Sequence, residues 1–179
     1  MREERVARRY ARALFQVALR EQAVEVVNEA LHQLLRALQE QPSLQRLLLT
    51  PYIPRERKRQ MIRQAIERQT HPLLVSLLDV VVDKRREGIL PEIAREFAAL
   101  RDEHLGIVRV HVTTAYLLAP QQEEALIQSL QQRTGKTVVL ETQVDPSLIG
   151  GVMVRIGDTV IDGSLRGQLQ RLKQYLLNA

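Results

Sequence analysis

Through the first hundred residues the apolar positions recur every three or four places, the period of helices that each bury one face. Prolines punctuate this pattern at Pro42, Pro51, Pro54, Pro72 and Pro91, each next to a change of register. Six helices are predicted, near residues 4–20, 23–40, 43–50, 55–69, 71–87 and 91–104. Beyond Gly106 the period falls towards two. Ile107, Val108, Val110 and Val112 mix with Arg109, His111 and Thr113 as in a strand, a helix over 121–134 follows Pro120, and 137–144 reads as a second strand. Residues 152–156 and 159–161 flank Gly157-Asp158, a two-residue pair suited to a tight hairpin. Asp162-Gly163-Ser164 then offers a cap for a closing helix whose Leu165, Leu169, Leu172 and Leu176 form one stripe.

Glycine usage divides the chain at the same place. Of eight glycines only Gly88 precedes residue 106, and glycine marks turns and strand ends. The expected architecture is mostly α: an N-terminal six-helix bundle over 1–105, then a smaller α+β domain over 106–179 with a β-hairpin and a closing helix.

Composition narrows the function. The 179 residues are 45% hydrophobic and 26% charged, as in a folded domain rather than a disordered chain. The absence of cysteine excludes disulfides, thiolate nucleophiles and thiolate zinc sites. No apolar run approaches the roughly 18 residues of a spanning helix, and the charged N-terminus lacks the pattern of a secretory signal. The cytoplasm or its membrane surface is therefore the expected location. Arg133-Thr134-Gly135-Lys136-Thr137 resembles the end of a phosphate loop, but Leu130 stands where that motif needs glycine. His32, His71, His104 and His111 show no ligand spacing, and no serine lies in Gly-x-Ser-x-Gly. No enzyme, metal site or cofactor is expected.

The net charge of +5 raises nucleic acid as a partner. Two basic clusters could follow a phosphate backbone: Arg5, Arg8, Arg9 and Arg12, and Arg55, Arg57, Lys58, Arg59 and Arg63. Acids are interspersed with both, and aromatics are only 3%, which leaves little to stack against unpaired bases. Solvated helix faces are the preferred reading, and nucleic acid is not expected. Excess apolar surface is more informative. Leu73, Leu74, Leu77, Leu78, Val80, Val81 and Val82 cover nearly the whole circumference of the fifth helix, and the first helix carries Val6, Ala7, Tyr10, Ala11, Ala13, Leu14, Phe15, Val17 and Ala18. Either both helices are simply core, or a groove between them accepts an amphipathic helix.

Several runs carry a resemblance. They are Arg9-Tyr10-Ala11-Arg12-Ala13-Leu14-Phe15, Thr50-Pro51-Tyr52-Ile53-Pro54 followed by Lys58, and Leu90-Pro91-Glu92-Ile93. The more specific ones come late: Val144 to Val152 with its Gly150-Gly151 pair, Arg155-Ile156-Gly157-Asp158, and Ile161-Asp162-Gly163-Ser164-Leu165-Arg166-Gly167. In order and spacing they resemble the delta subunit of bacterial F-type ATP synthases, the relative of the mitochondrial oligomycin-sensitivity-conferring protein. The resemblance implies a non-catalytic connector in the peripheral stalk, on the cytoplasmic face of the bacterial plasma membrane and membrane-associated only through the complex. It implies that the bundle clamps the N-terminal helix of an alpha subunit, around Tyr10, Ala13, Leu14 and Val17 on one helix and Leu77, Val80 and Val81 on another. It further implies that the second domain engages the C-terminal region of the b subunits. Gly150, Gly151, Asp162, Gly163 and Arg166 match that domain's motif, as contacts or as shapers of the fold.

Overall fold

The computed structural model describes residues 2–50, 52–66 and 70–177. The chain divides into two compact units, Met1–Arg101 and Asp102–Ala179.

Six helices enter the first unit: α1 (Arg2–Arg20), α2 (Val24–Glu40), α3 (Pro42–Leu49), α4 (Arg55–Ile66), α5 (Pro72–Asp83) and α6 (Leu90–His104), whose last turn runs across the division. Proline opens α3 and α5 at the position where no intrahelical donor is required. His71 caps α5, its Nδ1 accepting from the Leu73 N–H at 3.3 Å. One sequence expectation shifts. The fifth helix stops at Asp83 rather than continuing to 87, because Arg85 takes a left-handed φ of +52° and a 3-10 turn, Glu87–Ile89, leads into α6. The fourth helix was expected to reach 69, and residues 67–69 lie outside the described residues, as does Pro51.

The bundle core is built from Val27 and Leu31 of α2, Leu74, Leu78, Val81 and Val82 of α5, and Ile93 and Phe97 of α6. From α1 it takes small side chains: Ala7, Ala11 and Ala18 are fully buried, and only Leu14 is large among the buried residues of that face. Phe15 meets Phe97 edge to face with centroids 5.6 Å apart. Lys58 is buried, and its Nζ donates to the Leu48 carbonyl and to Glu87 Oε1, both at 2.7 Å. A buried ammonium needs such partners. This one ties α4 to α3 and to the 3-10 turn.

The second unit is a four-stranded sheet of order β2-β1-β3-β4, formed by β1 (Ile107–Thr114), β2 (Thr137–Val144), β3 (Val152–Ile156) and β4 (Thr159–Asp162). β1 and β2 are parallel, joined by the crossover helix α7 (Pro120–Thr134), while β3 pairs antiparallel with β1 and with β4. Ile156 pairs with Thr159 across the hairpin, and Gly157 supplies a φ of +56°. Alternation along the strands sends Val110, Val112, Val138 and Val154 to one face, against Leu126, Ile127 and Leu130 of α7. The other face is open, and His111, Thr113, Glu141, Gln143, Met153 and Arg155 line a shallow hollow of about 480 Å³ there. Gly135 ends α7 at φ +66°, its N–H donating to Gln131 O at 2.8 Å. The Gly135-Lys136-Thr137 triplet is thus a helix-ending turn. The closing helix α8 (Leu165–Leu177) carries the expected leucine stripe, and from Gln168 onward every residue of it is exposed.

Candidate functional site

Tyr10, Ala13, Leu14 and Val17 fall three to four residues apart on α1, and Leu73, Ser76, Leu77 and Val80 do the same on α5. Such spacing puts each set on one face of its helix. The two faces meet in an open trough of about 370 Å³, to which Arg9 also contributes. Leu14 and Leu77 are buried and form the floor, while Val17 and Val80 are exposed on the walls. At one end Arg86 stands over the Tyr10 ring, 6.0 Å from its centroid, and its Nη1 lies 3.4 Å from the Tyr10 hydroxyl. The floor and walls are apolar over two helical turns on each side, the shape and chemistry that an amphipathic helix fills.

Val81 is the exception among the residues expected on this surface. It is 0% exposed, whereas Val80 is 47% exposed. Successive helical residues are rotated by about 100°, so Val80 reaches the trough and Val81 enters the core beside Leu78 and Val82. Leu73, Ser76 and Arg9 line the trough although sequence reasoning did not single them out for it. The polar positions Ser76, Asp79 and Asp83 were the available signal. They mark the solvent side of α5, and Val80 lies next to that side while Val81 lies further round.

The basic cluster on α4 is largely spoken for by ion pairs. Arg59 meets Asp83 at 2.9 Å, Arg55 meets the same carboxylate at 3.7 Å, Arg63 pairs with Asp79, and Lys58 is the buried clamp. On α1, Arg8 pairs with Glu96 at 3.0 Å.

The motif residues of the second unit gather at the start of α8. Gly151 has φ +76°, and a Cβ there would lie 2.3 Å from the Gly163 carbonyl oxygen, while one on Gly163 would lie 3.1 Å from Val152 O. These backbones pass too closely for side chains. Gly163 N–H donates to Val152 O at 3.0 Å and Leu165 N–H to Gly150 O at 2.9 Å. Asp162 Oδ1 accepts from the Ser164 N–H at 2.9 Å and from its hydroxyl at 2.6 Å, and Ser164 Oγ accepts from the Gly167 N–H at 3.0 Å, capping α8. The Ser164 hydroxyl first, then its N–H, hold the Asp162 carboxyl below its ordinary range. Arg166 donates to Ser147 Oγ at 2.8 Å. Gly150, Gly151, Asp162, Gly163 and Arg166 therefore lock the connection between strands and helix.

The family model described as ATP synthase delta (OSCP) subunit matches residues 6–176. The chain belongs to that family. Relatives in it include the ATP synthase subunit delta of Desulforudis audaxviator, 40% identical over 171 residues that cover 96% of this chain and 94% of that protein. The ATP synthase subunit delta of Symbiobacterium thermophilum is 39% identical over 179 residues, covering 100% and 96%. Among solved structures, a chain of the Toxoplasma gondii mitochondrial ATP synthase hexamer superposes with a TM-score of 0.72 at 28% identity, covering 96% of this chain and 97% of that one. Membership makes the chain a non-catalytic delta-type subunit of an F-type ATP synthase, a membrane-associated complex. Among the described residues no helix is long and apolar enough to cross a membrane.

Proposed function

We propose that this subunit is a two-ended connector in the peripheral stalk, with its helical unit holding the N-terminal helix of an alpha subunit and its second unit engaging the C-terminal region of the b subunits. It would then sit on the cytoplasmic face of the bacterial plasma membrane and reach the membrane only through the complex. The observation that supports this reading is the α1–α5 trough, an apolar, helix-wide surface left open on the bundle. Proton flow turns the rotor of such a machine, and the catalytic head turns with it unless the stalk opposes the torque. A connector under that load must dissociate slowly from both partners. Apolar burial supplies the necessary affinity at about 25 cal/mol per Å² before ordering costs.

The test is binding of a synthetic peptide, the N-terminal segment of the cognate alpha subunit, to the full chain. Tyr10→Asp and Val80→Asp each put a carboxylate on the trough wall, and both variants should keep their helical circular dichroism while losing roughly a hundredfold in affinity, about 2.7 kcal/mol. Unchanged affinity in both folded variants excludes the trough as the site.

A further inference from the structure

One feature of α1 is absorbed neither by the bundle core nor by the apolar trough. Arg5, Arg9, Arg12 and Arg20 are exposed and recur at intervals of four, three and eight residues, which sets them along one stripe of the helix with Gln16 between. Arg9 is itself part of the trough lining, so the stripe runs beside the α1 wall. None of these four arginines forms an ion pair among the described residues, in contrast to Arg8 with Glu96. The opposite lip differs. Along α5 the acids Asp79 and Asp83 are already occupied by Arg63, Arg59, Arg55 and Lys84, and Ser76 is neutral. Beyond the Tyr10 end, Arg85 and Arg86 face a further hollow of about 370 Å³ in which Glu3 is the acid. The arginines along one lip are thus unpaired among the described residues, whereas on the other side four cations share two carboxylates.

We infer that the helix received by this trough carries carboxylates along one flank of its apolar stripe, and that the α1 arginines steer it in and fix which flank faces which lip. This rests on the reading of the trough as a helix-binding site and specifies the chemistry of its occupant. The charges lie at the rim in contact with water, where complementary potentials act on the association rate and on orientation more than on residence time. The apolar floor governs dissociation.

The experiment is stopped-flow binding of a fluorescein-labelled cognate alpha N-terminal peptide to the full chain at about 20 mM and about 500 mM salt. It compares the wild type with the triple variants Arg9→Gln/Arg12→Gln/Arg20→Gln and Arg9→Glu/Arg12→Glu/Arg20→Glu, both checked by circular dichroism. For the wild type, association should slow by about tenfold across that salt range with dissociation nearly constant. The glutamine variant should bind slowly at both salts, and the glutamate variant should recover its rate when the peptide's flanking carboxylates are replaced by lysine. Salt-independent association by the wild type, or folded variants that associate as fast as it does at low salt, would overturn the inference while leaving the trough reading intact. Absence of any peptide binding to the wild type overturns both. Vesicles containing phosphatidylglycerol, or a short RNA, that lose binding in the glutamine variant while the peptide does not would assign the stripe to a polyanion and also overturn it.

Discussion

In the trough, Val17 and Val80 hold apolar atoms towards solvent, beside a Tyr10 ring that is half-buried and overlaid by Arg86. Around Gly151 the situation is reversed. Backbones approach to contact, Asp162 and Ser164 satisfy each other, and the first turn of α8 is capped from within the chain. Tyr10 and Gly151 both lie in runs that carry the family resemblance, so likeness of sequence alone does not separate a docking surface from a fold constraint. Burial and hydrogen bonding separate them. A residue whose polar atoms and near neighbours are all accounted for inside the chain is explained by folding, and an apolar residue left in solvent at helical spacing asks for a partner.

Substitutions one residue apart sharpen that contrast. Val81→Asp buries an unpaired carboxylate in the bundle core and should cost about 4 kcal/mol, measured as a collapse of the urea midpoint followed by circular dichroism. Val80→Asp should move the same midpoint by no more than about 0.5 kcal/mol while peptide binding is lost. Equal destabilisation by the two would erase the distinction between wall and core.

The next effect belongs to the lock. Gly151→Ala forces a methyl against the Gly163 carbonyl at a backbone conformation that L side chains rarely adopt, with an expected loss of about 2 kcal/mol. Hydrogen exchange should register it at the β3 and β4 amides, with peptide binding at the trough unaffected. Ser164→Ala removes the cap of α8 and should cost about 1 kcal/mol, read as faster exchange of the first-turn amides of that helix.

The smallest effect is a pH dependence. Because the folded Asp162 carboxyl titrates below its ordinary value of 3.8, the stability it contributes is complete above that value and is lost as pH falls through the lower, folded value. Between about pH 6 and about pH 3 the wild-type second unit should therefore lose more protection at β3 and β4 than Asp162→Asn does. Parallel losses in the two proteins would show that the Ser164 hydrogen bonds do not bias the ionised form.

Much of this was legible because local rules and tertiary demands agree. The Gly157-Asp158 pair specifies the hairpin, the strand alternation of Val110 and Val112 specifies the face that α7 covers, and Asp162-Gly163-Ser164 specifies the start of α8. What escaped was orientation. α5 is apolar on almost every side, so its apolar periodicity did not decide between Val80 and Val81; Ser76, Asp79 and Asp83 were the only sequence signal of its solvent side, and the placement of α1 beside it resolves the question. Its early end escaped for a related reason: the left-handed residue Arg85 leads into the 3-10 turn, which Lys58, distant in sequence, holds through Glu87. The leucine stripe of α8 was visible, yet nothing in its spacing says that the helix leaves it in solvent.

The inner face of α1 bears on how the trough would behave as a mechanical part. Ala7, Ala11 and Ala18 sit against the bundle with no side-chain torsion that could rotate. A wall mounted on leucines or methionines can yield by turning rotamers, each change moving the helix slightly for little energy. At its three alanines the wall has no such soft joints, and sideways force there passes directly from backbone to backbone, while Leu14 and Phe15 supply the larger contacts. The alanines therefore stiffen α1 as a bearing surface, and what give it has comes through the rotatable side chains of Leu14 and Phe15.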